Sequence, residues 1–359
     1  ELGDTALFFM QSSGGLVDAG QFEGKDAILS GPAGGVVGAA RTAQAVGEEK
    51  VIAFDMGGTS TDVALFAGEF ERTYDTQVAG VQMRVPMMAI DTVAAGGGSI
   101  LHFDGSRFRA GPDSAGANPG PRGYRRGGPL TVTDANIMCG KIVPAYFPSI
   151  FGPHGDQPLD ADAVAAGFTE LAEQLPGSDP RDMAEGFLHI AVANMAAAIK
   201  RVALARGQNA AEFTLQCFGG AGGQHACRVA EELGMTQVLI DPFAGVLSAY
   251  GMGLADQTSS RQQAVELPLD EAHMAAMKEA ADRLSVEAAQ GLLQFGASDL
   301  EHRATVHLRY DGTDTALGVP FGSITDMRAA FEDVHRARFG FASPERGLVF
   351  EFLAVEAIG

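Results

Sequence analysis

With 359 residues the chain is long enough for two domains or one large elaborated one. Hydrophobic residues make up 46% and charged ones 19%, which excludes a disordered chain and supports a sizeable core. A formal net charge of −20 argues against nucleic acid or an anionic membrane as a partner, so any phosphate site must be built locally from backbone N–H groups, a helix N-terminus or a cation.

The chain opens at Glu1 without an initiator Met, and Ala6 to Met10 already reads as a strand, so the start is expected to be truncated. From Ser30 a small-residue helix is expected to about Ala45, rich in Gly34, Gly35, Gly38, Ala39 and Ala40. Such a helix lets another backbone approach closely. Val51 to Phe54 is a continuous apolar strand, the kind buried on both faces. It runs into Asp55-Met-Gly-Gly-Thr-Ser-Thr-Asp62, after which Val63 to Phe66 and Glu69 to Tyr74 complete an expected three-strand meander. Residues 85–145 hold little helix, and a stretch that long and irregular is more often functional than linking. Within it Thr133 is a plausible N-cap for a short helix from Asp134.

Two helices follow, about Ala161 to Gln174 after Asp160, and about Asp182 to Arg206 ending at Gly207. Phe213 to Phe218 is a buried strand that feeds Gly219-Gly-Ala-Gly-Gly-Gln-His225 and a helix from Ala226 to Leu233. Val238 to Ile240 is a further strand, followed by a Gly/Ala/Ser-rich segment to Asp256. The texture changes near Thr258. A charged helix is expected over Asp270 to Phe295, then an alternating strand, Arg303 to Tyr310, then a last helix and a strand over Val349 to Ala357.

Two loops carry chemistry. In the first, Gly57 and Gly58 permit a tight turn that points N–H groups at a ligand, and Thr59, Ser60 and Thr61 add hydroxyls. Asp55 and Asp62 bracket these donors and can order a divalent cation through its waters, which fits a Mg²⁺-polyphosphate. The bland alternative is an ordinary turn between strands. In the second, Gly219, Gly220, Gly222 and Gly223 lie between a strand and a helix, where the backbone can approach a flat or anionic ligand. Close packing is the competing account. His225 closes that turn and is a candidate catalytic acid/base, set against a structural hydrogen bond. Asp134 and Asn136 are weighed as cleft-lining groups against helix capping. The other histidines show no mutual metal spacing.

The order of small-residue helix, Asp-x-Gly-Gly-Thr hairpin and later Gly-Gly turn resembles the second half of the actin-like ATPase (ribonuclease H-like) fold. A more specific resemblance is to the hydantoinase A and 5-oxoprolinase family, leaning to the 5-oxoprolinase side. It rests on Ser30-Gly-Pro-Ala-Gly-Gly-Val-Val-Gly38, Phe54 to Asp62, Ala95-Gly-Gly-Gly-Ser99, Pro119-Gly-Pro121, Thr131-Val-Thr-Asp-Ala-Asn136 and Cys217 to Cys227. The chain departs from the pattern at Ala89 and Asp91, where a carboxylate is displaced by two residues and so stays on one strand face.

The resemblance implies an α/β fold with an α+β C-terminal extension. It divides into the end of a first lobe with the connecting helix (1–47), a second ATPase lobe (48–258) and an α+β region (259–359). It implies ATP and Mg²⁺ as cofactors, with Asp55 and Asp62 as cation and catalytic groups, Gly57 to Thr61 on phosphates and Gly219 to Gly223 on adenosine. The activity implied is ATP-driven opening of a cyclic amide, through phosphorylation of the amide oxygen. A missing N-terminal lobe and a hydantoinase B-like domain or subunit are the implied partners, with a homo-oligomer also in view. The alternatives are a hydantoinase A or acetone carboxylase-type subunit, and a non-catalytic actin-like assembly module. Three cysteines in no CxxC pattern favour a reducing, cytoplasmic setting. With no apolar run of about 18 residues, no membrane span is expected.

Overall fold

A computed structural model describes residues 6–78, 81–175, 177–294 and 296–359. The expected truncation at Glu1 and the expected helix end at Phe295 lie outside the described residues.

A two-stranded ladder, β1 (Phe8–Met10) and β2 (Leu16–Asp18), precedes helix α1 (Ser30–Ala45). Strands β3 (Lys50–Met56) and β4 (Thr61–Ala67) then form an antiparallel hairpin. The third strand of the expected meander does not join them. β5 (Arg72–Val78) pairs with β6 (Val81–Met88) as a separate hairpin, and β7 (Asp91–Val93) takes the place beside β4. Distant partners hold the hairpin away: Arg72 Nη1 donates to Glu356 Oε2 at 2.8 Å, and the Tyr74 ring packs edge-on against Phe352.

Strands β8 (Ser99–Phe103) and β9 (Phe108–Ser114) pair next, followed by α2 (Val132–Met138). Thr131, not Thr133, caps α2. Its hydroxyl and the Asp134 carboxylate satisfy each other's backbone N–H groups in a capping box. Helix α3 (Ala161–Ala172) starts at Asp160, as expected. Helix α4 (Pro180–Ala205) starts earlier than expected, because Asp179 accepts from the N–H groups of Arg181 and Asp182 and Pro180 suits the first turn. By length and composition alone it is apolar enough to cross a membrane, the kind of test a buried core helix also passes. Its Phe187, Leu188, Val192, Met195 and Ile199 are instead buried in the protein core.

The remainder runs β10 (Thr214–Phe218), α5 (Ala226–Leu233), β11 (Val238–Leu239), α6 (Leu247–Leu254), β12 (Thr258–Pro268), α7 (Glu271–Leu293), β13 (Glu301–Tyr310), β14 (Leu317–Pro320), α8 (Ile324–Phe339) and β15 (Leu348–Ile358). Helix α6 and strands β12 and β14 were not expected. Strands β12 and β14 are the edges of their sheet, and the polar sequence of β12 reflects that position.

Two sheets organise the molecule. The first has the order β11-β10-β3-β4-β7, with β10 parallel to both neighbours and the β3-β4-β7 side antiparallel. Alternation along its strands divides the core. Ile52, Phe54, Met56, Val63, Leu65 and Leu215 face α4 and α5, while Ala53, Ala64 and Phe218 face α1. Helix α1 is glycine-rich because α6 lies against its backbone: a Cβ on Gly38 would stand 2.7 Å from the Leu247 carbonyl oxygen.

The second sheet is antiparallel, in the order β12-β15-β13-β14. Val306, Leu308, Phe350 and Val355 pack beneath Met277 and Leu284 of α7 and Met327 and Phe331 of α8. On its other face His307 stacks on Phe352, with ring centroids 3.9 Å apart. A cleft of about 1300 Å³ separates that face from the first sheet, with Arg72, Thr92, Arg206 and Arg303 in its walls.

Candidate nucleotide site

The site grows from one pairing register. Asp55 at the end of β3 lies directly opposite Asp62 at the start of β4. Directly opposed residues share a face, with Cβ atoms about 4.5–5.5 Å apart. The connection Gly57-Gly58-Thr59-Ser60 is closed by a hydrogen bond from Gly57 N to Ser60 O at 3.0 Å, which leaves Gly58 and Thr59 exposed. Burial, helped by the charge of Asp62, pushes the Asp55 carboxyl up to about 6. Two facing carboxylates, one of them buried and raised by the charge of the other, form a donor set a divalent cation would neutralise. A hard cation that keeps several waters needs few protein oxygens, so Asp55 and Asp62 fit Mg²⁺. Among the described residues no cluster of three or more His, Cys, Asp or Glu side chains could hold a metal ion.

The same register brings in the second glycine loop. β10 runs parallel to β3 with Phe218 opposite Asp55, so the chain leaves both strands at the same edge of the sheet. Ala221 N donates to Met56 O at 2.9 Å, and Gly219 N donates to Ala244 O at 3.1 Å. Gly219 has φ +82, and a Cβ there would collide with Asp55 Oδ1 and stand 2.6 Å from Met56 O. Only glycine meets both demands without strain. Gly220 and Gly223 are exposed at the surface of this turn.

Thus Asp55, Asp62, Gly57, Gly58, Thr59, Ser60, Gly219, Gly220 and Gly223 surround one open edge. Three other expected contacts do not reach it. Thr61 is 1% exposed, and its hydroxyl donates to Ala95 O at 2.5 Å. Gly222 is buried, with the Cys217 sulfur in the space its Cβ would need. His225 is 1% exposed beneath the turn, where its Nε2 faces Asn136 Nδ2 at 3.1 Å. Burial, reinforced by the charges of Lys141 and Arg228, lowers the His225 ring to about 4. The ring offered by the sequence as an acid/base therefore faces a buried amide, away from the open loops. Asp134 and Asn136 likewise turn inward: Asp134 completes the capping box and Asn136 is fully buried.

Sequence reasoning passed over three supports. Thr92 on β7 donates from Oγ1 to Asp62 Oδ1 at 2.7 Å. The Ala95-to-Ser99 segment underlies the first loop: Gly97 N donates to Gly57 O at 3.1 Å and Gly98 N to Gly58 O at 2.6 Å. A Cβ on Gly96 would stand 2.6 Å from the Thr59 carbonyl carbon. Thr133 holds this layer in turn, through its N and Oγ1 to Gly97 O at 2.7 and 2.9 Å. The run of three glycines was the available signal.

A family model described as hydantoinase/oxoprolinase matches residues 1–261. A protein named 5-oxoprolinase 1 from Arabidopsis thaliana is 42% identical over 378 residues, covering 100% of this chain and 30% of its own length. The chain thus spans about a third of that relative. The crystal structure of an ATP-dependent caprolactamase from Pseudomonas jessenii matches with a TM-score of 0.85 and 30% identity, over 99% of this chain and 53% of that one. A nucleotide-free structure of acetone carboxylase shares the fold, with a TM-score of 0.68 and 24% identity over 98% of this chain and 52% of that one.

Proposed function

Because this chain belongs to the hydantoinase/oxoprolinase family, we propose that it carries part of an ATP site used to open a cyclic amide, with 5-oxoproline to glutamate as the first choice. One observation supports the reading above others. Pairing of β3 with both β4 and β10 sets a hydroxyl- and glycine-rich loop bracketed by carboxylates beside a second glycine turn. We read the first sheet with α1, α4 and α5 as the second half of an actin-like ATPase domain. We read the second sheet with α7 and α8 as a C-terminal addition.

In this reading the exposed N–H groups and hydroxyls of Gly57 to Ser60 hold phosphates, and the turn at Gly219 to Gly223 packs on adenosine. Asp55 and Asp62 would hold Mg²⁺, which would supply neutralisation of developing phosphate charge. An unstrained lactam resists water. Its amide oxygen is therefore phosphorylated by ATP with release of ADP. Water then adds to the activated carbon, and the C–N bond breaks to open the ring as an acyl phosphate, with the nitrogen leaving as the amine. A second water hydrolyses that acyl phosphate to the carboxylate and inorganic phosphate. Phosphoryl transfer is mainly positioning and electrostatics, which fits a site built from backbone and carboxylates. Thr61, Gly222 and His225 act as supports under the loops.

The chain spans 30% of the plant relative, so the rest of the nucleotide cradle and the hydrolytic part are assigned to segments or subunits beyond this one. The three free cysteines fit a cytoplasmic enzyme.

The test is ATP hydrolysis by the full-length enzyme with a panel of 5-oxoproline, hydantoin, caprolactam and acetone. Turnover is expected only with a cyclic amide present. Turnover with acetone alone would move the reading to the carboxylase side, and turnover indifferent to every compound would reject it.

A further inference from the structure

Helix α2 touches both loops of the site without reaching its open edge. At its first turn Thr133 holds Gly97 O, and Gly97 and Gly98 in turn hold the Gly57 and Gly58 carbonyls. One helical turn later, Asn136 reaches the other loop. Its Nδ2 donates to Gln224 Oε1 at 2.7 Å and meets His225 Nε2 at 3.1 Å. The Asn136 carbonyl accepts from Lys141 N and Ile142 N, at 2.9 and 3.1 Å. That fold-back carries the Lys141 ammonium to Gln224 O at 2.9 Å. On the far side the Asp134 carboxylate accepts from Arg122 N, Gly123 N, Thr131 N and Thr131 Oγ1, at 2.8 to 3.0 Å, and so fixes the helix to the rest of the domain.

The amide of Asn136 is committed to this contact. It is fully buried, its two N–H bonds point at the end of the turn, and its Oδ1 has no hydrogen-bond partner. With Nε2 accepting from the amide, the proton of the neutral His225 ring lies on Nδ1. A buried amide that spends both donors on one loop, in a helix whose preceding turn holds the other loop, sets the distance between them.

We propose that Asn136 and Lys141 are positioning residues for nucleotide binding: through α2 they hold the Gly219–Gly223 turn at a fixed spacing from the Asp55–Asp62 loop. This rests on the nucleotide reading given above. Neither side chain touches the nucleotide. Asn136 acts through Gln224 and His225, and Lys141 through the Gln224 carbonyl.

The experiment uses the full-length enzyme with Asn136→Leu, Lys141→Met and Lys141→Arg. The readouts are the ATP KM, kcat at saturating ATP, and direct ATP binding by calorimetry. Loss of a hydrogen bond that positions the turn is expected to raise the ATP KM on the order of tenfold. For Lys141→Met, kcat at saturating ATP should stay within about threefold, since the displaced turn contacts adenosine rather than the reacting phosphorus. Lys141→Arg, which keeps a cationic donor, should restore the KM. A folded variant with unchanged ATP KM, or one losing kcat at constant KM, would overturn the proposal. If Asn136→Leu does not fold, the two Lys141 variants decide. A wild-type enzyme that binds no ATP would reject the nucleotide reading itself, whereas equal binding by wild type and Lys141→Met would reject the brace alone.

Discussion

Asp55 and Asp62 face each other across the β3–β4 pair, and the second charge adds to burial in raising the first carboxyl to about 6. In the free protein the two charges repel each other, and a cation seated against the pair would relieve that repulsion. Replacing Asp55 by Ala in the full-length enzyme should cut ATP-dependent turnover by on the order of 10²-fold or more, through lost preorganised electrostatics. Steady-state kcat/KM with saturating cyclic amide measures this, and near-wild-type turnover would remove Asp55 from the site.

Gly219 cannot carry a side chain without disturbing Asp55. Gly219→Ala must place a Cβ at φ +82 and against Asp55 Oδ1 and Met56 O. The left-handed conformation alone costs about 1–2 kcal/mol for a non-glycine residue, and the collision adds to it. Chemical denaturation should register at least that loss. ATP titration should show weaker binding on the order of tenfold or more, because the turn shifts away from β3.

His225 makes stability depend on acid. Its folded-state value of about 4 lies below the ordinary imidazole value of 6.5, so the folded protein resists protonation more than the unfolded chain does. The neutral ring's contribution is fully present above pH 6.5 and is lost as pH falls toward 4. By pH 4 the loss reaches about 3 kcal/mol. Lys141 and Arg228, whose charges bear on the ring, keep the same sign over this range. Urea midpoints from pH 7 to 4.5 should fall more steeply for wild type than for His225→Gln, whose side chain does not titrate. Parallel curves would contradict the burial of the ring.

Phe331 is fully buried at the centre of the second sheet's core, against Tyr310 at 5.0 Å between ring centroids. Phe331→Ala should cost about 3–5 kcal/mol, seen as a lower denaturation midpoint. Because Phe331 lies on the side of that sheet away from the two glycine loops, ATP affinity at low temperature should change less than twofold in protein that remains folded.

Much of this was legible in the residues. The span of α1 followed from its small-residue pattern, the β3–β4 hairpin from two apolar runs around a glycine pair, and α5 from the loop ahead of it. What failed had distant causes. β5 reads as the next strand of a meander, but Glu356 and Phe352, nearly 300 residues away, take its Arg72 and Tyr74. β12 shows no strand pattern, because an edge strand with one well-covered end needs few apolar residues. In the candidate site, Asp55 and the two loops that the fold brings together could be picked out from chemistry alone. That Thr61 and His225 turn inward could not, since hydroxyl and imidazole groups serve equally well as ligands or as struts. Only the register on Asp62 and the packing of α2 distinguish those roles.

The glycine contact between α1 and α6 has a mechanical meaning. Helix α1 delivers the chain into β3, and α6 delivers it toward β12 in the second sheet. With Gly38 pressed on the Leu247 carbonyl and Gly34 on that of Ser248, at 2.7 Å for an added Cβ in each case, neither glycine brings a side chain of its own that could absorb a displacement. The contact therefore couples the two helices mechanically, so that a tilt imposed on α1 would be handed to the segment that enters the second sheet.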